Sequence, residues 1–133
     1  AKSIFVNLNL DMLSQPGGRK EVLVSGNLSH PAFNGLIEDI ELASNMPMIA
    51  TDEKRRVGRY PSLADRRKVS DHAAFAEQGI PFLFLGVGRH NYYHTPRDTA
   101  SRVNQSFYGE TVAIAWQYLQ KLDALCAQAA EQP

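Results

Sequence analysis

Ile80-Pro81-Phe82-Leu83-Phe84-Leu85-Gly86-Val87-Gly88 is an apolar run of strand length that ends in glycines. Such a run reads as a buried strand passing into a loop. The loop carries Tyr92-Tyr93-His94-Thr95-Pro96-Arg97-Asp98-Thr99, and about one helix before the strand stands Ser70-Asp71-His72. Open α/β sheets place their ligands in the crevice at the carboxyl ends of their strands, where this loop lies. His94 and Asp98 are four residues apart with Pro96 fixing the turn between them. That spacing can offer an imidazole nitrogen, and an acceptor behind it, to one metal or substrate.

Outward from this strand the chain alternates between strand and helix patterns. Ile4, Val6, Leu8 and Leu10 alternate with Phe5, Asn7, Asn9 and Asp11, which predicts a strand over 4–10 with Asp11 at its end. Gln15-Pro16-Gly17-Gly18-Arg19 is a turn, and Glu21 to Gly26 is the next strand, antiparallel to the first because the connection is short. Phe33, Leu36, Ile37 and Ile40 recur at helical spacing, with Gly35 weakening the helix without breaking it. Met46 to Thr51 is a short strand whose Pro47 puts it at an edge or at a strand's beginning. Residues 52–69 are polar, basic and aperiodic, which predicts a long exposed loop.

Ser70 or Asp71 is placed to cap a helix that Gly79 ends, and Asn104 or Ser106 to cap a long helix over 107–129. The long helix has an apolar stripe of Phe107, Val112, Ile114, Ala115, Tyr118, Leu119, Leu122 and Leu125. Nothing marks a second domain.

Composition excludes several function classes. The chain has 133 residues, 14 basic and 14 acidic, enough for one domain and with no net charge to favour nucleic acid or an anionic membrane surface. Lys54-Arg55-Arg56 and Arg66-Arg67-Lys68 have acids nearby and read as solvated loop charge. Cys126 is the single cysteine, so neither an internal disulfide nor a cysteine zinc site can form. No run reaches the roughly 18 apolar residues of a membrane span, and the first residues show no signal-peptide pattern, so the compartment stays open.

Each candidate side chain has two readings at this level. Asp11 is either a turn-forming aspartate before the Pro-Gly-Gly loop or a group pointing into the crevice that also receives His94. His94 is either satisfied by backbone in a tight loop or a ligand, and His72 either belongs to a capping region or serves the site. His30, before Pro31, and His90 have the weaker functional cases.

Asn9-Leu10-Asp11-Met12, Ser70-Asp71-His72 followed by Phe75 and Gly79-Ile80-Pro81, and Tyr93-His94-Thr95-Pro96-Arg97-Asp98-Thr99 stand in one order along the chain. In that order and spacing they resemble the carboxyl-terminal half of the co-catalytic di-zinc aminopeptidases, a family that also holds carboxypeptidases and, more distantly, glutaminyl cyclases. The resemblance implies an α/β fold, three layers α/β/α with a mixed sheet, the phosphorylase/hydrolase-like zinc peptidase fold, here as its carboxyl-terminal part over residues 1–133.

It also implies two zinc ions at the strand ends, with Asp11 a ligand of one and His94 a ligand of the other, and a bridging water as nucleophile. Asp71, His72, Tyr93 and Asp98 are expected behind the ligands or beside the substrate. The family's other ligands and its general base come from a His-x-Asp step, a bridging aspartate and a Glu-Glu pair, and this sequence contains neither a His-x-Asp nor a Glu-Glu. No catalytic base is therefore expected within the chain, which looks like one piece of a longer polypeptide.

The expected function is part of a zinc-dependent exopeptidase, an aminopeptidase first, acting on peptide substrates. Its partners would be the amino-terminal half of the domain and, in isolation, other copies of itself. Two alternatives stand beside this: a glutaminyl cyclase, against which Tyr93 occupies a position where a tryptophan is expected, and a metal-free interaction module that keeps the peptidase fold.

Overall fold

The computed structural model describes residues 4–51 and 70–131; the predicted loop over 52–69 lies outside the described residues. Four strands, β1 (Asn7–Leu10), β2 (Val22–Ser25), β3 (Met48–Ala50) and β4 (Phe82–Gly86), form one mixed sheet in the order β1-β4-β2-β3. β1 is parallel to β4, β2 is antiparallel to β4, and β3 is parallel to β2. The carboxyl ends of β1 and β4 therefore share one side of the sheet. Among the described residues three α-helices accompany it: α1 (Phe33–Ala43), α2 (His72–Glu77) and α3 (Gln105–Ala130).

Strand β4 is central because it is apolar on both faces. Leu83 and Leu85 are fully buried in a core with Val22, Val24, Phe33, Ile40, Phe107, Ile114 and Tyr118, under α1 and α3. Phe82 and Phe84 point the other way, as successive strand residues must, and meet His72 of α2. Helices thus cover both faces, the three-layer arrangement expected of this α/β fold.

β2 runs opposite to β1, as its short connection predicts, without pairing with it: Leu23, Val24 and Ser25 pair with Gly86, Leu85 and Phe84 of β4. A strand apolar on both faces belongs in the middle of a sheet, and β1, with Asn7 and Asn9 on one face, suits an edge. The connection from Asp11 to Glu21 readily spans the roughly 10 Å of two strand spacings.

β1 also starts later than predicted. The Asn7 N–H donates to the Pro81 carbonyl at 2.9 Å, and upstream of Pro81 the partner chain leaves the sheet for α2. Ile4 to Val6 therefore precede the ladder.

Helix boundaries follow local chemistry in two places and depart from it in one. Gly79 adopts φ +70 directly after α2, as a glycine terminator should. Asn104 accepts the Phe107 N–H on its side-chain oxygen at 3.0 Å and so caps α3. Neither Ser70 nor Asp71 caps α2 by its side chain, because the Ser70 hydroxyl is committed to Asp11. Gly26 has φ +88, and a Cβ there would run into the Phe82 carbonyl oxygen, so the end of β2 requires glycine twice over.

Candidate metal centre

Asp11 stands at the carboxyl end of β1, where its N–H donates to the Leu85 carbonyl at 3.0 Å as the last rung beside β4. Period-two alternation puts Asn9 and Asp11 on the α2 face of the sheet, with Asn9 paired to Phe84. Ser70 Oγ donates to Asp11 Oδ2 at 3.0 Å, and Asn9 Nδ2 donates to Ser70 Oγ at 3.0 Å. The same Asn9 nitrogen lies 3.3 Å from His72 Nδ1. His72 is fully buried, stacked on Phe82 with ring centroids 4.7 Å apart and tilted against Phe84 at 5.1 Å. Its predicted neighbour Asp71 is exposed at the residue before α2.

His94 lies in the loop that leaves the same end of the sheet through β4. The loop is a series of tight turns: the Thr95 N–H and hydroxyl both donate to the Tyr92 carbonyl, at 3.0 and 2.7 Å, and the Asp98 N–H donates to the Thr95 carbonyl at 3.0 Å. The exposed His94 ring stacks on the half-buried Tyr93 ring at 3.9 Å, and the Arg89 guanidinium lies 5.3 Å from the other residue of that pair, Tyr93. Asp98 sets its carboxylate 3.6 Å from His90 Nε2, and His90 Nδ1 accepts the Tyr92 N–H at 3.3 Å. His30, by comparison, serves its turn: Nδ1 accepts the Ala32 N–H and the ring packs between Phe5 and Phe33.

Three contacts hold the loop after Asp11, and the first of them joins it to the loop that leads to His94. Gly17 approaches Gly88 so closely that a Cβ on Gly17 would stand 2.5 Å from the Gly88 carbonyl oxygen. The loop after Asp11 is also bound to α3, with the Thr111 hydroxyl on the Leu13 carbonyl at 2.9 Å and the Asn104 N–H on the Ser14 carbonyl at 3.0 Å.

Backbone strain is confined to the same places. Among the described residues the only non-glycine residues with positive φ are Met12 at 62°, directly after Asp11, and His94 itself at 55°. Conformations of this kind cost of order 1–3 kcal/mol and persist where the surroundings impose them, which is characteristic of functional sites.

Carboxylate oxygen and imidazole nitrogen are donors that suit zinc. Among the described residues, however, no three His, Cys, Asp or Glu side chains are grouped to hold a metal ion. The donor types fit zinc, and their number falls short of the three protein ligands that a catalytic zinc takes.

A family model described as Peptidase family M28 matches residues 1–119, which takes in the whole sheet and more than half of α3. The chain belongs to peptidase family M28. This family of zinc exopeptidases includes aminopeptidases and glutaminyl cyclase-like members, and it places the chain among peptidases and hydrolases. Comparison with curated proteins and with solved structures returns no match.

Asn9 and Ser70 stand inside the quoted motifs but had no role assigned to them, and in this M28 chain Ser70 is bonded to Asp11 and Asn9 to Ser70. Asn9 had a usable signal, since two residues before Asp11 on a strand is the same face. The Ser70 hydroxyl gave none, because a serine before a helix reads first as a cap.

Proposed function

We propose that this M28 chain forms part of a zinc-dependent exopeptidase of the aminopeptidase type, with Asp11 a ligand of one zinc ion and His94 a ligand of a second. The observation that carries this reading is that, among the described residues of a chain of this family, the two positive-φ non-glycine residues are His94 itself and Met12, the residue directly after Asp11.

Zinc bound there would polarise the scissile carbonyl and supply a nucleophilic water near neutral pH. Asp11 contributes negative charge through an oriented carboxylate, one oxygen of which is occupied by the Ser70 hydroxyl. His94 contributes a neutral nitrogen from a ring held by its stack on Tyr93. His72 is linked to the Asp11 side through Asn9 and Ser70, Asp71 stands exposed just before α2, and Asp98, through His90, stiffens the loop that carries His94. The remaining ligands, and the general base that peptide hydrolysis requires, come from residues outside those described. The substrate is a peptide with a free amino terminus. A glutaminyl cyclase-like activity is the less favoured reading, because Tyr93 stands where that group is expected to carry a tryptophan.

Hydrolysis of an aminoacyl anilide with added zinc tests the proposal. The 133-residue chain alone is expected to be inactive. Activity is expected when a polypeptide carrying the His-x-Asp and Glu-Glu elements is supplied, and to disappear in His94→Ala. Robust hydrolysis by the chain alone, abolished by His94→Ala, would show the site to be complete in these residues. No hydrolysis in either mixture would favour an interaction module.

A further inference from the structure

Asn9 Nδ2 faces two groups, Ser70 Oγ at 3.0 Å and His72 Nδ1 at 3.3 Å. A side-chain amide nitrogen has two hydrogens and no acceptor capacity, so both neighbours must accept from it. For His72 this requires an unprotonated Nδ1, with the ring hydrogen on Nε2. For Ser70 it means that the hydroxyl hydrogen is free to be given to Asp11 Oδ2, 3.0 Å away.

If His72 Nδ1 carried the hydrogen, two donors would face each other. The Asn9 amide would turn its oxygen toward them, and the Ser70 hydroxyl would donate to that oxygen instead of to Asp11. The direction of three bonds thus depends on which nitrogen of one buried ring is protonated. That ring is itself fixed in orientation between Phe82 and Phe84.

We propose that His72 is a positioning residue for Asp11: as its Nε2–H tautomer it sets the Asn9 amide, which directs the Ser70 hydroxyl hydrogen onto Asp11 Oδ2 and leaves Oδ1 for a cation. The bond directions stand on geometry alone, and their consequence for a cation rests on the reading of Asp11 as a ligand. Groups that orient a ligand in this way commonly matter about 10- to 100-fold in metal affinity.

The test is made on the full metal-free chain by NMR. Long-range hydrogen–nitrogen correlations should show His72 with an unprotonated Nδ1 and a protonated Nε2. The deuterium isotope shift on the Asp11 carboxyl carbon, which reports the hydroxyl hydrogen bonded to it, should be present in the wild type and lost in Ser70→Ala.

His72→Leu, which keeps apolar volume but has no acceptor, should lose the shift, and His72→Asn, which restores an acceptor near the Nδ1 position, should keep it. A purely structural histidine gives the opposite order, because leucine fits between two phenylalanines better than asparagine does. Asn9→Asp provides a variant that leaves His72 in place: the isotope shift should leave Asp11 and appear on the introduced carboxylate. An Nδ1–H tautomer, or a shift on Asp11 that survives His72→Leu or Asn9→Asp, overturns the proposal. A zinc titration comparing wild type with Asp11→Ala judges the ligand reading separately, since equal binding there removes the ligand and leaves the bond directions standing.

Discussion

Replacing Gly17 by alanine would push a methyl group into the Gly88 carbonyl, and backbone on both sides limits how either loop can give way. Overpacking of this kind costs about 1–3 kcal/mol, so Gly17→Ala is expected to lower the urea midpoint by a corresponding amount. Amide shifts should move around both Asp11 and His94, whereas Gly18→Ala, where a Cβ meets open space, should leave both loops unchanged. Shift changes confined to residues 15–19 would show that the two loops are independent. At this scale the sequence was readable where chemistry is local. His30 and Gly79 do what their neighbours in the chain dictate. It was not readable where partners are distant: the Ser70 hydroxyl finds Asp11 across 59 positions, and Asp98 meets His90 in a turn whose shape no spacing rule specifies.

Among the elements, α3 best separates what periodicity tells from what it does not. Its buried line is Phe107, Thr111, Ile114, Tyr118 and Leu122, whereas Val112 and Leu119 of the predicted stripe are each 49% exposed. They join Tyr108 and Trp116 in a second apolar stripe turned outward, since a helix apolar on two faces does not reveal from its period which one the sheet covers. The stripe borders a groove of about 340 Å³ between the helix and the end of β1, lined by Leu10, Asp11, Met12, Tyr108, Thr111 and Val112. β1 is an edge strand among the described residues, and apolar surface beside an open edge recruits other chains. Concentration-dependent association is therefore expected in sedimentation velocity, reduced by Val112→Lys combined with Trp116→Lys. A wild-type chain that stays monomeric at every concentration would contradict this. The cap of α3 was legible from sequence, and Asn104→Ala should cost about 1 kcal/mol in denaturant unfolding. The central place of β4 was legible as well, but its insertion between β1 and β2 was not, because a short connection indicates direction and not adjacency.

For the molecule as a whole, stability rests on the core beneath α1 and α3. Leu85 is fully buried there, and Leu85→Ala should cost about 2–5 kcal/mol. Tyr118 adds a pH dependence. Burial raises the pKa of its phenol, with Glu41 acting in the same direction, and its hydroxyl meets Met48 Sδ at 3.4 Å. Because the folded pKa lies above the unfolded one, the contribution is complete below the unfolded value of about 10 and is lost as pH rises beyond it. Thermal melts should fall off above about pH 10 in the wild type and less steeply in Tyr118→Phe. The fold class and family were legible in three short motifs in one order. The site was legible only as positions, since its hydrogen bonds arise from the sheet order. The central claim is that Asp11 and His94 serve one zinc centre, and its most direct measurement is a zinc titration followed by NMR at the Asp11 carboxyl carbon and the His94 ring nitrogens. Both should respond weakly and over the same zinc range, and loss of either side chain should diminish the response of the other; separate titrations, or zinc shifts at His30 and His90 with none at His94, would contradict it.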